Sequence, residues 1–281
     1  MRYTVLLPTP RPIPFQAWRV WSVPILGALG MLAIATPERN SDLFLALNAW
    51  AAQGPAWPWE WLTALGDTLT ALCLLLMLAR RRSDIVLSVM VAALVATLAT
   101  HLPKDVLNIS RPVAALGPAV HVIGETLRHG AFPSGHTATA FTLIAVLSAY
   151  VRSRRLLAAL LLAAAGIGLS RVAVGAHWPL DVLGGAVIGW ASGLAGVKLV
   201  KHIGWRRRPR VLAAIRALLL ACALVLLLAH DSGYPQAELL EKGIALVALV
   251  WHLMLERRHP ARPATASQPG LRPQAANNGS E

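Results

Sequence analysis

Charged side chains are scarce in this chain. Asp, Glu, Lys and Arg make up 14% of its 281 residues, where a soluble domain carries about 25%. That shortage excludes a water-soluble globule with a charged shell. Cysteine is almost missing: Cys73 and Cys222 each stand inside an apolar run, which excludes a disulfide framework and a cysteine-based metal centre. Acidic residues are rarer than basic ones, 13 against 26, giving a net charge of +13. In a soluble protein that excess would point to a nucleic-acid partner. Here the basic residues fall between apolar runs, so topology accounts for them and no nucleic-acid partner is inferred. What the chain does have is 56% hydrophobic residues and a mean hydropathy of +0.56, which excludes disorder over most of its length. It reads as an integral membrane protein.

A helix crosses the roughly 30 Å hydrocarbon layer with about 20 apolar residues. Eight runs approach that length: 20–36, 62–79, 85–102, 136–151, 156–175, 180–200, 211–229 and 244–255. The expected fold class is therefore an all-α, polytopic transmembrane helix bundle. Basic residues alternate strictly between the connecting segments. Nineteen fall on one side, and five on the other: Arg39, Lys104, Arg111, Arg128 and Arg171. By the positive-inside rule the first side is cytoplasmic, which puts both termini inside. Arg216 and Lys242 stay outside this sorting, as snorkelling residues or as partners of Glu238 or Glu241.

The division of the chain follows. Residues 1–19 form a cytoplasmic N-terminal segment, 20–200 six spans, 201–256 two further spans, and 257–281 a disordered cytoplasmic tail rich in Pro, Ala, Gln, Asn and Ser. Ala33-Ile34-Ala35 resembles a signal-peptidase site, but the basic, Pro-rich segment ahead of it favours an uncleaved anchor. Trp residues gather near span ends, as interfacial anchors do, and the Pro- and Trp-broken stretch 41–61 is expected along the outer interface.

Three of the five outward cations stand in unusual company. Lys104 and Arg111-Pro112 frame the third connection; Pro133-Ser134-Gly135-His136 precedes span four; and Ser170-Arg171 is followed by His177 and Asp181. All lie at the outer ends of spans three to six, so they can converge at one depth. Ser134 is a natural N-cap, Gly135 lets a ligand approach the backbone, and the start of a helix attracts phosphate through its free N–H groups and dipole. Lys104, Arg111 and Arg171 add positive charge for a phosphoryl group or for a transition state that spreads charge over its oxygens. Pro179 suits a first helical turn and places Asp181 where its carboxylate can accept the ring N–H of His177, leaving the second ring nitrogen free as a nucleophile. His136 can then protonate the departing oxygen as general acid.

The pattern K-x6-R-P, P-S-G-H and S-R-x5-H-x3-D resembles the type 2 phosphatidic acid phosphatase superfamily, which also includes vanadium haloperoxidases and bacterial acid phosphatases. Eleven positions agree: Lys104, Arg111, Pro112, Pro133, Ser134, Gly135, His136, Ser170, Arg171, His177 and Asp181. The resemblance extends over spans one to six and includes Gly66-Asp67 in span two. It implies a six-helix core, an outward-facing site, a phosphohistidine intermediate on His177, no cofactor and no metal. The expected catalytic set is then His177, His136 and Asp181, with Lys104, Arg111, Ser134, Gly135 and Arg171 binding the phosphate of a phosphorylated lipid. The expected location is the cytoplasmic (inner) membrane of a bacterium, with the active site on the periplasmic or extracellular side. Undecaprenyl pyrophosphate, phosphatidylglycerol phosphate, phosphatidate and a lipid A phosphate all fit the motif.

Other residues receive plainer readings. Asp67 is expected to make a structural hydrogen bond near the outer surface, and Gly185, Gly189 and Gly193 to form a close helix-packing face. His101, His121, His129, His230 and His252 have no partners at zinc-ligand spacing. Glu125 and Arg128 either shape substrate choice or belong to a solvated loop. Two activities besides hydrolysis stay open at this stage. A lipid phosphotransferase would use the same intermediate with a different acceptor, and a transporter would fit eight spans but should carry inverted repeats, which the two halves do not display. A haloperoxidase shares the motifs but is a soluble protein.

Overall fold

The described residues of a computed structural model, 18–203 and 209–258, contain eleven α-helices joined by short 3-10 turns and irregular connections, and no β-strand. In chain order they are α1 (Trp18–Ala33), α2 (Pro37–Ala51), α3 (Trp57–Leu65), α4 (Thr68–Leu76), α5 (Ser83–Leu107), α6 (Pro112–Leu116), α7 (Gly135–Ser148), α8 (Arg154–Ala173), α9 (Pro179–Ile203), α10 (Pro209–Leu228) and α11 (Glu238–Arg258). The N-terminal segment up to residue 17 and the tail from residue 259, for which a cytoplasmic location and disorder were expected, lie outside the described residues.

The protein is a polytopic helical bundle, but its spans are less regular than eight apolar runs imply. Among the described residues, four helical segments are individually long and apolar enough to cross a membrane: Ser83–Ala119, Arg154–Ala173, Pro179–His202 and Pro209–Leu228. The bent pair formed by α1 and α2 would make a fifth. Expected span two is two short helices, because Asp67 interrupts it: its Oδ1 accepts the N–H groups of Leu69 (2.8 Å) and Thr70 (3.2 Å), a side-chain cap that starts α4 afresh. This is the structural hydrogen bond expected of Asp67. Expected span four is only the 14 residues of α7, about 21 Å of helix against a layer of about 30 Å. Expected span eight lies within α11, whose first turn carries Glu238 and Glu241. The stretch 41–61 is largely helical: Thr36 caps α2, Pro37 opens it, and α2 leaves α1 at 105°.

Helix α9 is the hub. A Cβ on Gly185 would stand 2.5 Å from the Ser134 carbonyl oxygen, and one on Gly193 would stand 2.5 Å from Ala145 Cβ. Helix α7 therefore approaches α9 backbone to backbone, as the glycine spacing predicts. Gly196 does the same for α5, where Ala92 Cβ would be 2.5 Å away. On the opposite face Trp190, almost fully buried, donates its indole N–H to the Val20 carbonyl at 3.0 Å and ties α1 to the hub. A second apolar cluster joins α4 to α10 and α11 through Cys73, Leu76, Leu219, Ala223, Ala245 and Ala248.

Candidate active site

The predicted residues converge where α5 and α8 end and α7 and α9 begin. The left-handed conformation of Asn108 (φ 40°, ψ 42°) stops α5 at Leu107, three residues after Lys104 and five before the Pro112 that opens α6. Asn tolerates that conformation better than most residues. Arg111 lies in this link and is 6% exposed. Its Nε donates to the His129 carbonyl (3.0 Å) and its Nη1 to the Ala176 carbonyl (3.1 Å), so backbone oxygens orient the guanidinium.

Arg171 stands in the last turn of α8, is 4% exposed, and its Nη1 donates to the Tyr234 hydroxyl at 2.8 Å. The chain then turns so that the Ala176 and His177 N–H groups both donate to the Arg171 carbonyl, at 3.0 and 3.1 Å. Gly175 makes the turn possible. Its φ is +78°, and a Cβ there would lie 2.7 Å from the His121 carbonyl. The neighbouring Ser170 hydroxyl meets the Thr63 hydroxyl at 2.8 Å.

His177 and Asp181 are each 2% exposed. His177 Nδ1 stands 3.3 Å from Asp181 Oδ2, which also accepts the Trp178 N–H at 2.9 Å. An ionised Asp181 accepts from Nδ1–H and leaves Nε2 without a proton. Burial first, and then the charges of Arg111, Arg171 and Lys104, hold the His177 imidazole well below the ordinary histidine range. A nucleophile needs that neutral state. The Asp181 carbonyl accepts the Ser134 N–H at 3.0 Å and so joins the starts of α9 and α7.

Ser134 stands at the N-cap of α7, as predicted, but its side chain makes no capping bond. Its hydroxyl instead accepts from Thr137 Oγ1 at 3.0 Å. The first N–H groups of α7 are thereby left for a ligand. Lys104 Nζ would lie 3.7 Å from a Cβ on Gly135, so the ammonium stands at that helix start. Among the described residues none of Lys104, Arg111 and Arg171 forms an ion pair with a carboxylate. A cationic pocket of this kind is incomplete without an anion. His136, half-buried on the first turn of α7, borders it.

From His136 and Gly135 a cavity of about 160 Å³ runs between α4, α5 and α7, lined by Ala71, Leu72, Ala93, Ala96 and Leu143 among others. The backbone at Gly66 forms part of this neighbourhood: a Cβ there would be 2.5 Å from Ile167 Cγ2 and 3.1 Å from His136 Cβ. Several supporting roles escaped the sequence reading. Asn48 gathers the carbonyls of His121 (2.9 Å), Val172 (3.2 Å) and Ala173 (3.0 Å) through one amide nitrogen, and Trp178 donates to the Ser110 carbonyl at 2.9 Å. Asn48, a polar residue in the stretch expected along the outer interface, was the available signal. Tyr234 gave none.

A helical membrane bundle with two histidines beside a cluster of cations that form no ion pair among the described residues has the chemistry to hold a phosphorylated or similarly anionic ligand. Residues 85–209 match the PAP2 superfamily. The solved structure of LpxE from Aquifex aeolicus is 33% identical, with a TM-score of 0.52, and the alignment covers 56% of this chain and 93% of that one. The chain belongs to the PAP2 superfamily. The transmembrane PAP2-type phosphatidylglycerolphosphate phosphatase of Bacillus subtilis shares the fold, with a TM-score of 0.50 at 20% identity, over 68% of this chain and 98% of that one. Phosphatidylglycerophosphatase B of Escherichia coli K12 is 45% identical over 76 residues, which are 26% of this chain and 30% of that protein.

Proposed function

We propose that the chain is a lipid phosphate phosphatase that works without a metal through a phosphohistidine on His177. The carrying observation is the pairing of a buried, Asp181-oriented histidine with two buried arginines that, among the described residues, form no ion pair with a carboxylate. In the first half-reaction His177 Nε2 bonds to phosphorus in line as the bond to the leaving oxygen breaks, and His136 gives that oxygen a proton. Water then attacks phosphorus, the P–N bond breaks, and His136 takes the water's proton. Asp181 holds the His177 ring throughout. Lys104, Arg111, Arg171, Ser134 and the Gly135 N–H bind the phosphoryl oxygens. Phosphate-monoester hydrolysis is so slow unassisted that enhancements reach about 10²¹, and preorganised positive charge is the largest available contribution.

The apolar cavity between α4, α5 and α7 supports a lipid substrate entering sideways from the bilayer, its chain between the helices and its phosphate at the start of α7. The excess of basic residues at the opposite ends of the helices supports a site on the outer face of the cytoplasmic membrane, with both termini inside. The similar proteins of Escherichia coli and Bacillus subtilis are named for phosphatidylglycerophosphate, which makes that lipid the first to try. It joins undecaprenyl pyrophosphate, phosphatidate and lipid A phosphate in the test panel.

The test is phosphate release from these four lipids by purified protein in EDTA, wild type beside His177→Ala. Wild type should release phosphate from at least one lipid, and the variant should lose about 10⁴-fold or more. EDTA-sensitive turnover would overturn the metal-free mechanism. Silence on all four from a folded protein would redirect the reading to transfer onto an acceptor lipid.

A further inference from the structure

The family match ends at residue 209, yet one partner of Arg171 comes from beyond it. Tyr234 lies in the connection between α10 and α11, is 6% exposed, and accepts the Arg171 Nη1–H at 2.8 Å, with its ring 5.8 Å from the guanidinium carbon. Nη1 lies on the side of the guanidinium away from the Nε–Nη2 edge, the two-pronged edge that matches an oxyanion. Among the described residues Arg171 Nε is buried without a hydrogen-bond partner. Tyr234 thus holds one side of the group while the other keeps an unused buried donor. A carboxylate in its place would hold Arg171 equally well but cancel the charge; a neutral phenol oxygen fixes the arginine and leaves the charge for the ligand.

The connection is anchored against the bundle. The Gln236 N–H donates to Glu60 Oε2 at 2.8 Å, and the Trp61 indole donates to the Gln236 carbonyl at 2.8 Å. Gly124, at φ +81°, passes so close that a Cβ there would be 2.6 Å from the Gly233 carbonyl and 2.7 Å from Tyr234 Cε1. Ala64, Ile123, Val174 and Ala237 enclose the ring.

We infer that Tyr234 is a positioning residue for Arg171, so that the α10–α11 pair completes the phosphoryl site from outside the part of the chain that matches the family. This rests on reading Arg171 as a phosphoryl ligand. Tyr234→Phe keeps the ring and removes the acceptor. It should lower kcat about tenfold, the scale of one hydrogen bond to a charged group, while KM for the lipid changes less than twofold, and it should weaken orthovanadate inhibition by a similar factor. In an Arg171→Lys background the same change should add less than twofold, because both substitutions act on one interaction. Losses that multiply in full, or wild-type kcat in Tyr234→Phe beside an impaired Arg171→Lys, overturn the role of Tyr234. Wild-type behaviour of Arg171→Lys instead overturns the reading of Arg171 itself. Should Tyr234→Phe unfold in a melting scan, wild type grown with 3-fluorotyrosine gives the same readout: a weaker phenol acceptor in intact packing lowers kcat, and an unchanged kcat contradicts the inference.

Discussion

In the proposed mechanism His177 is the nucleophile by virtue of where its protons are. Its folded-state ionisation is depressed by burial and by three neighbouring cations, so the imidazole stays neutral as the pH falls past the ordinary histidine value of about 6.5. The sign matters: activity that depends on neutral His177 is present above the depressed value and is lost only beneath it. We expect the His177 imidazole, followed by NMR in the protein without ligand, to take up its proton only below pH 6.5; protonation at or above 6.5 would contradict that environment. The core of this site was legible, because four residues from His177 to Asp181 and a Pro at the first turn fix a local geometry that needs no tertiary information. The partner of Arg171 was not: Tyr234 is 63 positions away, and a lone tyrosine in a polar connection carries no spacing signal. Nor could the sequence show that the Ser134 hydroxyl bonds Thr137 rather than capping α7.

At the level of elements, the glycines of α9 connect packing to chemistry. A Cβ on Gly185 would meet the Ser134 carbonyl at 2.5 Å, and that atom is backbone with no freedom to rotate away. We expect Gly185→Ala to push α7 from α9, costing about 1–3 kcal/mol as overpacking does and lowering kcat at least tenfold through displacement of Ser134. Gly243, on α11, has nothing within 4 Å of its virtual Cβ. Gly243→Ala should leave activity unchanged and stabilise by about 0.4–1 kcal/mol. Thermal melting and turnover of the two variants check both, and equal behaviour would refute the distinction. The four-residue glycine spacing made this face readable in advance. The broken second span was half readable: Asp67 was visible as a polar residue in an apolar run, but hydropathy averaged across it and returned one span where the capping bonds make two helices. The shortness of α7 was hidden because apolar residues continue past Ser148, where the helix ends.

Across the whole molecule, hydropathy gave an all-α membrane bundle, and the basic residues gave a direction for it. Leu127, 44% exposed in the connection before α7, is suited to a test of that direction. With Cys73 and Cys222 replaced, Leu127→Cys should react with an impermeant thiol reagent in intact spheroplasts; reaction only after lysis would invert the topology. The same fold brings four distant segments to one phosphoryl site, and the claim on which everything else depends is that a covalent bond forms there. Rapid alkaline quench of the protein turning over a ³²P-labelled lipid phosphate, followed by peptide mapping, tests it directly. The account predicts an acid-labile, alkali-stable phosphoryl group on His177, formed within the time of one turnover and missing in His177→Ala. Turnover with no labelled protein, or with the label on another residue, would contradict it.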